Sequence, residues 1–231
     1  MCFSAKASFI ASISLGFIGL ATLKQVKKKT QLLFALIPLM FSIQQFSEGL
    51  IWLLKDNFST NHILIKALSY IFLNFALIIW PIVIPLSLYN LEEDKNRRWY
   101  LKILLSLGLA WAILFFVVLL KEQVFVAIEC SHIYYNVHVP FYKNYNLALT
   151  VYGMTTILPF FISTRKSMKI FGTLLLFSCL ISYVCWYNYL TSVWCFFAAL
   201  LSLSVYVIIK WQNIKENYLT VLNRYKNLNK I

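Results

Sequence analysis

The chain has 231 residues and a mass of 27.0 kDa; 61% of the residues are hydrophobic, 13% are charged, and the formal net charge is +13. Soluble globular domains carry roughly 45–50% apolar and about 25% charged residues. The composition therefore excludes a water-soluble fold, intrinsic disorder, a coiled coil, collagen and a disulfide-stapled secreted domain, and leaves a multi-pass membrane protein.

A bilayer core of roughly 30 Å takes about 20 apolar residues of helix. Seven such runs follow one another, at 5–23, 32–54, 63–89, 101–120, 147–163, 170–190 and 193–209. The expected fold is all-α: a seven-helix transmembrane bundle over 1–211 and a cytoplasmic amphipathic tail over 212–231. In the first run the basic cluster follows the apolar stretch instead of preceding it, the reverse of a removable signal peptide. The run carries Ser4, Ser8, Ser12 and Gly16 at four-residue spacing, a small-residue stripe of the kind that lets membrane helices approach closely.

The second run holds Glu48, with Gln44 one turn before it and Trp52 one turn after, all on one helical face. A carboxylate at mid-membrane costs about 2.5–3.5 kcal/mol even on a lenient insertion scale, so Glu48 calls for hydrogen-bond donors. Gln44, Gln45 and, on the third run, Asn74 are the candidates. Two readings follow: a structural knot of hydrogen bonds joining helices, or a ligand, proton or ion site built from Gln44, Gln45, Glu48, Trp52 and Asn74. The third run also has Pro81 and Pro85, each of which removes a backbone donor and bends a helix. Trp80 and the fourth run's Trp111 lie inside their runs and read as packing residues.

The segment 121–145 is too apolar for a free linker and is expected to fold over the bundle as a lid; long structured loops are often functional. It contains Glu129, His132 and His138, which form a weak zinc candidate because imidazole and carboxylate ligate that ion. Their spacing matches no zinc motif, interfacial histidines being the plainer reading, and no other cofactor is indicated. Runs six and seven contribute Ser178, Ser182 and Cys185, then Ser192, Cys195, Ala199 and Ser202; with the stripe of run one they predict a sub-bundle of runs one, six and seven. Of five cysteines, Cys2, Cys130, Cys185 and Cys195 map to the outer half, where a disulfide is chemically permitted in bacteria. Cys2–Cys195 is the preferred pair and Cys2–Cys130 the second. In the tail, Ile214, Tyr218, Val221 and Tyr225 recur at helical spacing beside Lys215, Arg224 and Lys226. This suits a helix lying on anionic lipid, a solvated tail with helical tendency being the alternative.

The charges give an orientation. Lys24, Lys27, Lys28 and Lys29 follow run one; Lys95, Arg97, Arg98 and Lys102 follow run three; Arg165, Lys166 and Lys169 follow run five; five more stand from Lys210 onward. These are 16 of the 21 basic residues, all on one side of the serpentine. Basic loops stay cytoplasmic, which puts the N-terminus outside and Glu48 and all three histidines toward the exterior. The same sorting explains the positive charge without nucleic acid, for which no aromatic-interleaved basic patch exists.

Met1-Cys2-Phe3-Ser4-Ala5, the stretch from Gln44 through Gln45, Phe46, Ser47, Glu48, Gly49, Leu50 and Ile51 to Trp52, the pair Trp80-Pro81, and Ser192-Val193-Trp194-Cys195-Phe196-Phe197-Ala198-Ala199 resemble an uncharacterised family of small bacterial multi-pass membrane proteins. That resemblance implies a shared membrane bundle in a bacterial cytoplasmic membrane and implies no activity. In span number alone the chain is also similar to membrane zinc hydrolases of the alkaline ceramidase type, but run seven contains no histidine and no run contains aspartate. The expected function is binding of a small molecule or lipid, for sensing or transport, in an outward-opening polar pocket around Glu48. The alternatives are a membrane-embedded metal-dependent hydrolase and an accessory subunit of a membrane complex.

Overall fold

Apolar helix-forming runs separated by short polar breaks give a bundle of helices. The computed structural model describes residues 4–55, 60–122, 124–129, 132–137 and 145–228; Cys2, Cys130 and His138 lie outside them. The helices are α1 (Ala5–Lys24), α2 (Leu32–Ala35), α3 (Ile37–Leu53), α4 (His62–Leu73), α5 (Trp80–Leu91), α6 (Lys95–Lys121), α7 (Tyr145–Thr156), α8 (Leu158–Ile162), α9 (Lys166–Cys185), α10 (Leu190–Ser202) and α11 (Ser204–Leu228). Six helical runs among the described residues are long and apolar enough to cross a membrane: Ala5–Lys24, Lys29–Leu53, His62–Leu91, Lys95–Lys121, Lys166–Cys185 and Tyr187–Lys215. The chain is thus a helical multi-pass membrane protein. The fifth predicted run does not form one long helix. It is divided into α7 and α8 at Ile157, because Pro159 has no N–H for the preceding turn and its ring crowds the carbonyl four residues back.

The stripe on α1 faces α3, a partner the predicted grouping left out, while the predicted contacts of run one with run seven and of run six with run seven are present. The Ser12 hydroxyl donates to the Ser42 carbonyl and the Ser42 hydroxyl to the Ser12 carbonyl, each at 2.8 Å. At Gly19 a Cβ would come within 2.5 Å of the Leu39 side chain. On the other side of the bundle α9 packs against α10, and α1 reaches α10 and α11. Ser178 and Ser182 hydroxyls turn back onto carbonyls of their own helix, as hydroxyls on helices commonly do. Spacing reveals which face is small but leaves its partner undetermined.

Between α4 and α5 the chain makes a π-helical turn, Asn74–Ile79. The Trp80 N–H reaches back to the Phe75 carbonyl, five residues away. The next residue, Pro81, has no N–H to offer the Ala76 carbonyl, and that oxygen accepts from the Tyr152 hydroxyl of α7 at 2.5 Å. At the same level Gly108 of α6 lies so near α5 that a Cβ would stand 1.9 Å from the Pro81 carbonyl oxygen. Only a residue without a side chain permits this approach.

Polar residues tie the basic end together. Glu92, just after α5, accepts from the Thr164 N–H at 2.8 Å and the Thr164 hydroxyl at 2.9 Å. Arg97 donates to the Ile162 carbonyl and Arg165 to that of Leu91. Gln31 donates to Asn213, whose amide donates in turn to the Gln25 carbonyl. This anchors α11, which begins inside the predicted seventh run and continues through residues 211 and 212 as one helix.

At the opposite end the segment between α6 and α7 holds two antiparallel strands, β1 (Val124–Glu129) and β2 (His132–Val137), in register from Val124 opposite Val137 to Glu129 opposite His132. The all-α expectation did not include this hairpin. Val124, Val126 and Ile133 point into a core shared with Ile51, Phe72 and Val193, and Tyr135 stacks on Phe72 with ring centroids 4.8 Å apart. The hairpin is packed onto the bundle.

Candidate functional site

Glu48 is 1% exposed. Its carboxylate accepts from the Ser192 hydroxyl of α10 and, at 3.4 Å, from the Gln45 amide one turn before it. The side-chain Oε1 of Gln44 accepts from Trp80 Nε1 at 2.9 Å, and the Trp80 ring stacks on Phe41 at 4.0 Å. Together these contacts form a knot that joins α3 to α10 and α5. Of the residues expected around Glu48, Gln45 bonds to it, while Gln44 on the same helix bonds to Trp80. Trp52 is buried farther along α3 in the hairpin-side core, and Asn74 is exposed at the start of the π turn. The donor that takes the place of Asn74 at Glu48 is Ser192, and Trp80 is the donor to Gln44; the sequence presents both as packing residues. Two polar atoms of the knot, Gln44 Nε2 and Gln45 Oε1, are buried with no hydrogen-bond partner among the described residues.

Beside the knot, under the hairpin, lies a cavity of about 520 Å³. Its inner wall is apolar and buried, with Ala76, Trp111, Phe115 and Leu190; its outer rim is exposed and polar, with Asn136, Tyr187 and Asn188. None of Gln44, Gln45, Glu48, Trp52 or Asn74 lines it. The turn of α10 that gives Ser192 to Glu48 gives Trp194 and Cys195 to the cavity wall, so knot and cavity share one helix turn. No charged side chain among the described residues lines the cavity. Two lining residues carry buried polar atoms without a partner among the described residues, Trp194 at Nε1 and Tyr135 at its hydroxyl. Burial pushes the Tyr135 phenol well above its usual range, which keeps it a neutral hydroxyl.

A second, smaller recess of about 40 Å³ shares Tyr152, Trp194 and Cys195 with the wall of the first cavity, and lies between Trp80, Phe160 and Phe171. Cavities of a few hundred cubic ångströms with apolar walls and a few polar groups are the usual form of small-molecule sites.

The hairpin's last pair, Glu129 and His132, meets the turn before α10: the Tyr189 hydroxyl donates to Glu129 at 3.4 Å and its ring stacks on His132 at 4.8 Å. No group of three metal-ligating side chains occurs among the described residues; the third residue of the zinc candidate, His138, lies outside them. Cys195 is a buried free thiol; Cys2 and Cys130, the other members of the expected disulfide pairs, lie outside the described residues.

No curated protein and no solved structure matches the chain. The family of unknown function DUF6629 matches residues 1–218, and the chain belongs to that family, an uncharacterised one as its resemblance implied.

Proposed function

We propose that this member of DUF6629 binds a small uncharged molecule in the cavity beneath its hairpin. The observation that carries this reading is the pairing, among the described residues, of an uncharged wall of aliphatic and aromatic side chains with two buried, unpartnered polar groups, on Trp194 and Tyr135. A buried polar group that finds no partner costs about 1–3 kcal/mol, and a ligand able to hydrogen-bond there offsets that cost. An ion is disfavoured, since no countercharge among the described residues faces the space. Glu48 holds the wall in place from behind and does not touch the ligand.

In this reading the seven apolar runs are seven crossings, with α7 and α8 together forming a kinked fifth, in a bacterial cytoplasmic membrane. The cavity opens to the exterior and the basic loops face the cytoplasm, where the exposed face of α11 meets anionic lipid. Reporter fusions at residues 27 and 166 register the cytoplasm; exported-reporter activity at either position overturns the orientation.

Binding is tested with phenol and indole as neutral probes and with benzoate and benzylammonium as charged ones, reading the melting temperature of the purified protein in lipid nanodiscs. The neutral probes raise it and the ions leave it unchanged. Ala148→Trp, which places an indole inside the cavity, abolishes the response. Equal stabilisation by the ions, or a response that survives Ala148→Trp, refutes the reading.

A further inference from the structure

The junction between the two cavities narrows the class of ligand. We infer that the site takes a neutral amphiphile with a single aliphatic chain, its head in the wide outer cavity and its tail passing Tyr152, Trp194 and Cys195 into the inner recess. This rests on the binding proposed above and adds a chemical class to it.

The two spaces differ in the way the two ends of such a molecule differ. The outer cavity is wide, and Asn136, Asn188 and Thr191 supply hydrogen-bonding groups along its wall. The recess is narrow, and apart from Tyr152 and Thr156 its polar-capable members are the Trp80 indole, already donating to Gln44, and the two residues at the junction. The Tyr152 hydroxyl is committed to the Ala76 carbonyl and the Thr156 hydroxyl to the Tyr152 carbonyl. Beyond the junction, where Trp194 Nε1 is the free donor, a polar group entering the recess finds its hydroxyls and the Trp80 indole already bonded, while a methylene group finds aromatic walls. By the same measure of volume a water needs about 10–15 Å³, so 40 Å³ accommodates roughly three methylene-sized groups.

The recess is also closed toward the basic end of the bundle. Toward the basic end of the bundle Phe34, Leu101, Met168 and Val205 are fully buried in continuous packing. Such an arrangement holds a chain end, whereas conduction would require a passage through that layer. Each methylene transferred from water into an apolar space tightens binding about fourfold, so a tail of this length separates an amphiphile from its isolated head by well over an order of magnitude.

Cys195 reports on the junction. It is a free thiol lining both spaces, and the exposed free thiol Cys185 is an internal control. The experiment measures the rate of methyl methanethiosulfonate modification at each cysteine by peptide mass spectrometry, on the full chain in nanodiscs. Monodecanoylglycerol, at about ten times its dissociation constant, slows modification of Cys195 about tenfold and leaves Cys185 unchanged. Glycerol (head alone), decanoate (charged head) and didecanoylglycerol (two chains, as in a bilayer lipid) give no comparable protection. Ala198→Leu, which narrows the recess, removes the protection and retains the melting response to phenol and indole. Protection by glycerol or didecanoylglycerol equal to that by monodecanoylglycerol, or an unchanged Cys195 rate in a protein that phenol and indole do stabilise, overturns the chain-in-recess assignment alone. Failure of phenol and indole as well removes the underlying binding site.

Discussion

The bond between Glu48 and Ser192 joins residues 144 positions apart in the chain, and its energetic role can be separated from its neighbours'. Ser192→Ala removes the hydroxyl and leaves a 1%-exposed carboxylate with the Gln45 amide at 3.4 Å as its remaining donor. Leaving such a group short of donors costs about 1–3 kcal/mol. Removing both partners at once, as Glu48→Met with Ser192→Ala, deletes the orphan along with the bond; interhelical hydrogen bonds in membranes contribute about 0.6 kcal/mol on average and at most about 1.7. The double variant is therefore expected to lose less stability than the sum of the two single variants, with a coupling of about 1–2 kcal/mol. The assay is reversible denaturant unfolding in bicelles, run on the wild type, both single variants and the double. Phenol-induced stabilisation, measured in parallel, persists in every variant that folds, because Glu48 does not line the cavity. Additive losses, or a Ser192→Ala variant as stable as the wild type, refute the knot as a unit.

Tyr152→Phe takes the donor from the Ala76 carbonyl that Pro81 cannot serve and lowers stability by about 1–3 kcal/mol; in a Pro81→Ala background a backbone N–H becomes available there and the loss shrinks. Equal losses in both backgrounds would show that the proline is not the reason for the tyrosine. At the basic end, burial alone would raise the Glu92 carboxyl, but hydrogen bonds from the Thr164 and Asp94 N–H groups and the Thr164 and Ser163 hydroxyls outweigh it and hold it below the ordinary carboxylate range. Its contribution to stability is then complete above the unfolded value of about 4.3 and is lost as pH falls through the depressed folded value. Melting temperatures taken from neutral to acid pH show wild type above Glu92→Gln at neutrality and the gap closing toward acid; a gap independent of pH contradicts this.

The helical frame was legible because membrane crossing demands long apolar runs, and six of the seven runs read from the chain have helices to match. The break at Ile157 was also in principle readable, since Pro159 sits mid-run. The hairpin left a clearer trace: Val124–Glu129 and His132–Val137 are rich in β-branched and aromatic residues and are separated by two residues, a pattern of paired strands. Apolarity drew attention to that segment and obscured its periodicity. Glu48, Gln44 and Gln45 stood out as polar groups where few are tolerated. Their partners did not, because Ser192 looks like any small interface residue and Trp80 like any core aromatic until tertiary structure brings them to α3. Asn74 shows the reverse: a polar residue in an apolar run, turned to the outside of the bundle. The cavity escaped entirely, since it is lined by residues from the hairpin and several helices and by no conspicuous motif.

The π turn at Asn74–Ile79 fits one extra residue into the helix, and an α-helix advances about 100° per residue. Everything from Trp80 onward is thereby swung round relative to α4, and it is this rotation that aims the indole at Gln44 and exposes the Ala76 carbonyl to Tyr152. Deleting a single residue from the turn would leave a span of nearly the same length and hydropathy. It would still be inserted, yet its second half would present the wrong side to its neighbours.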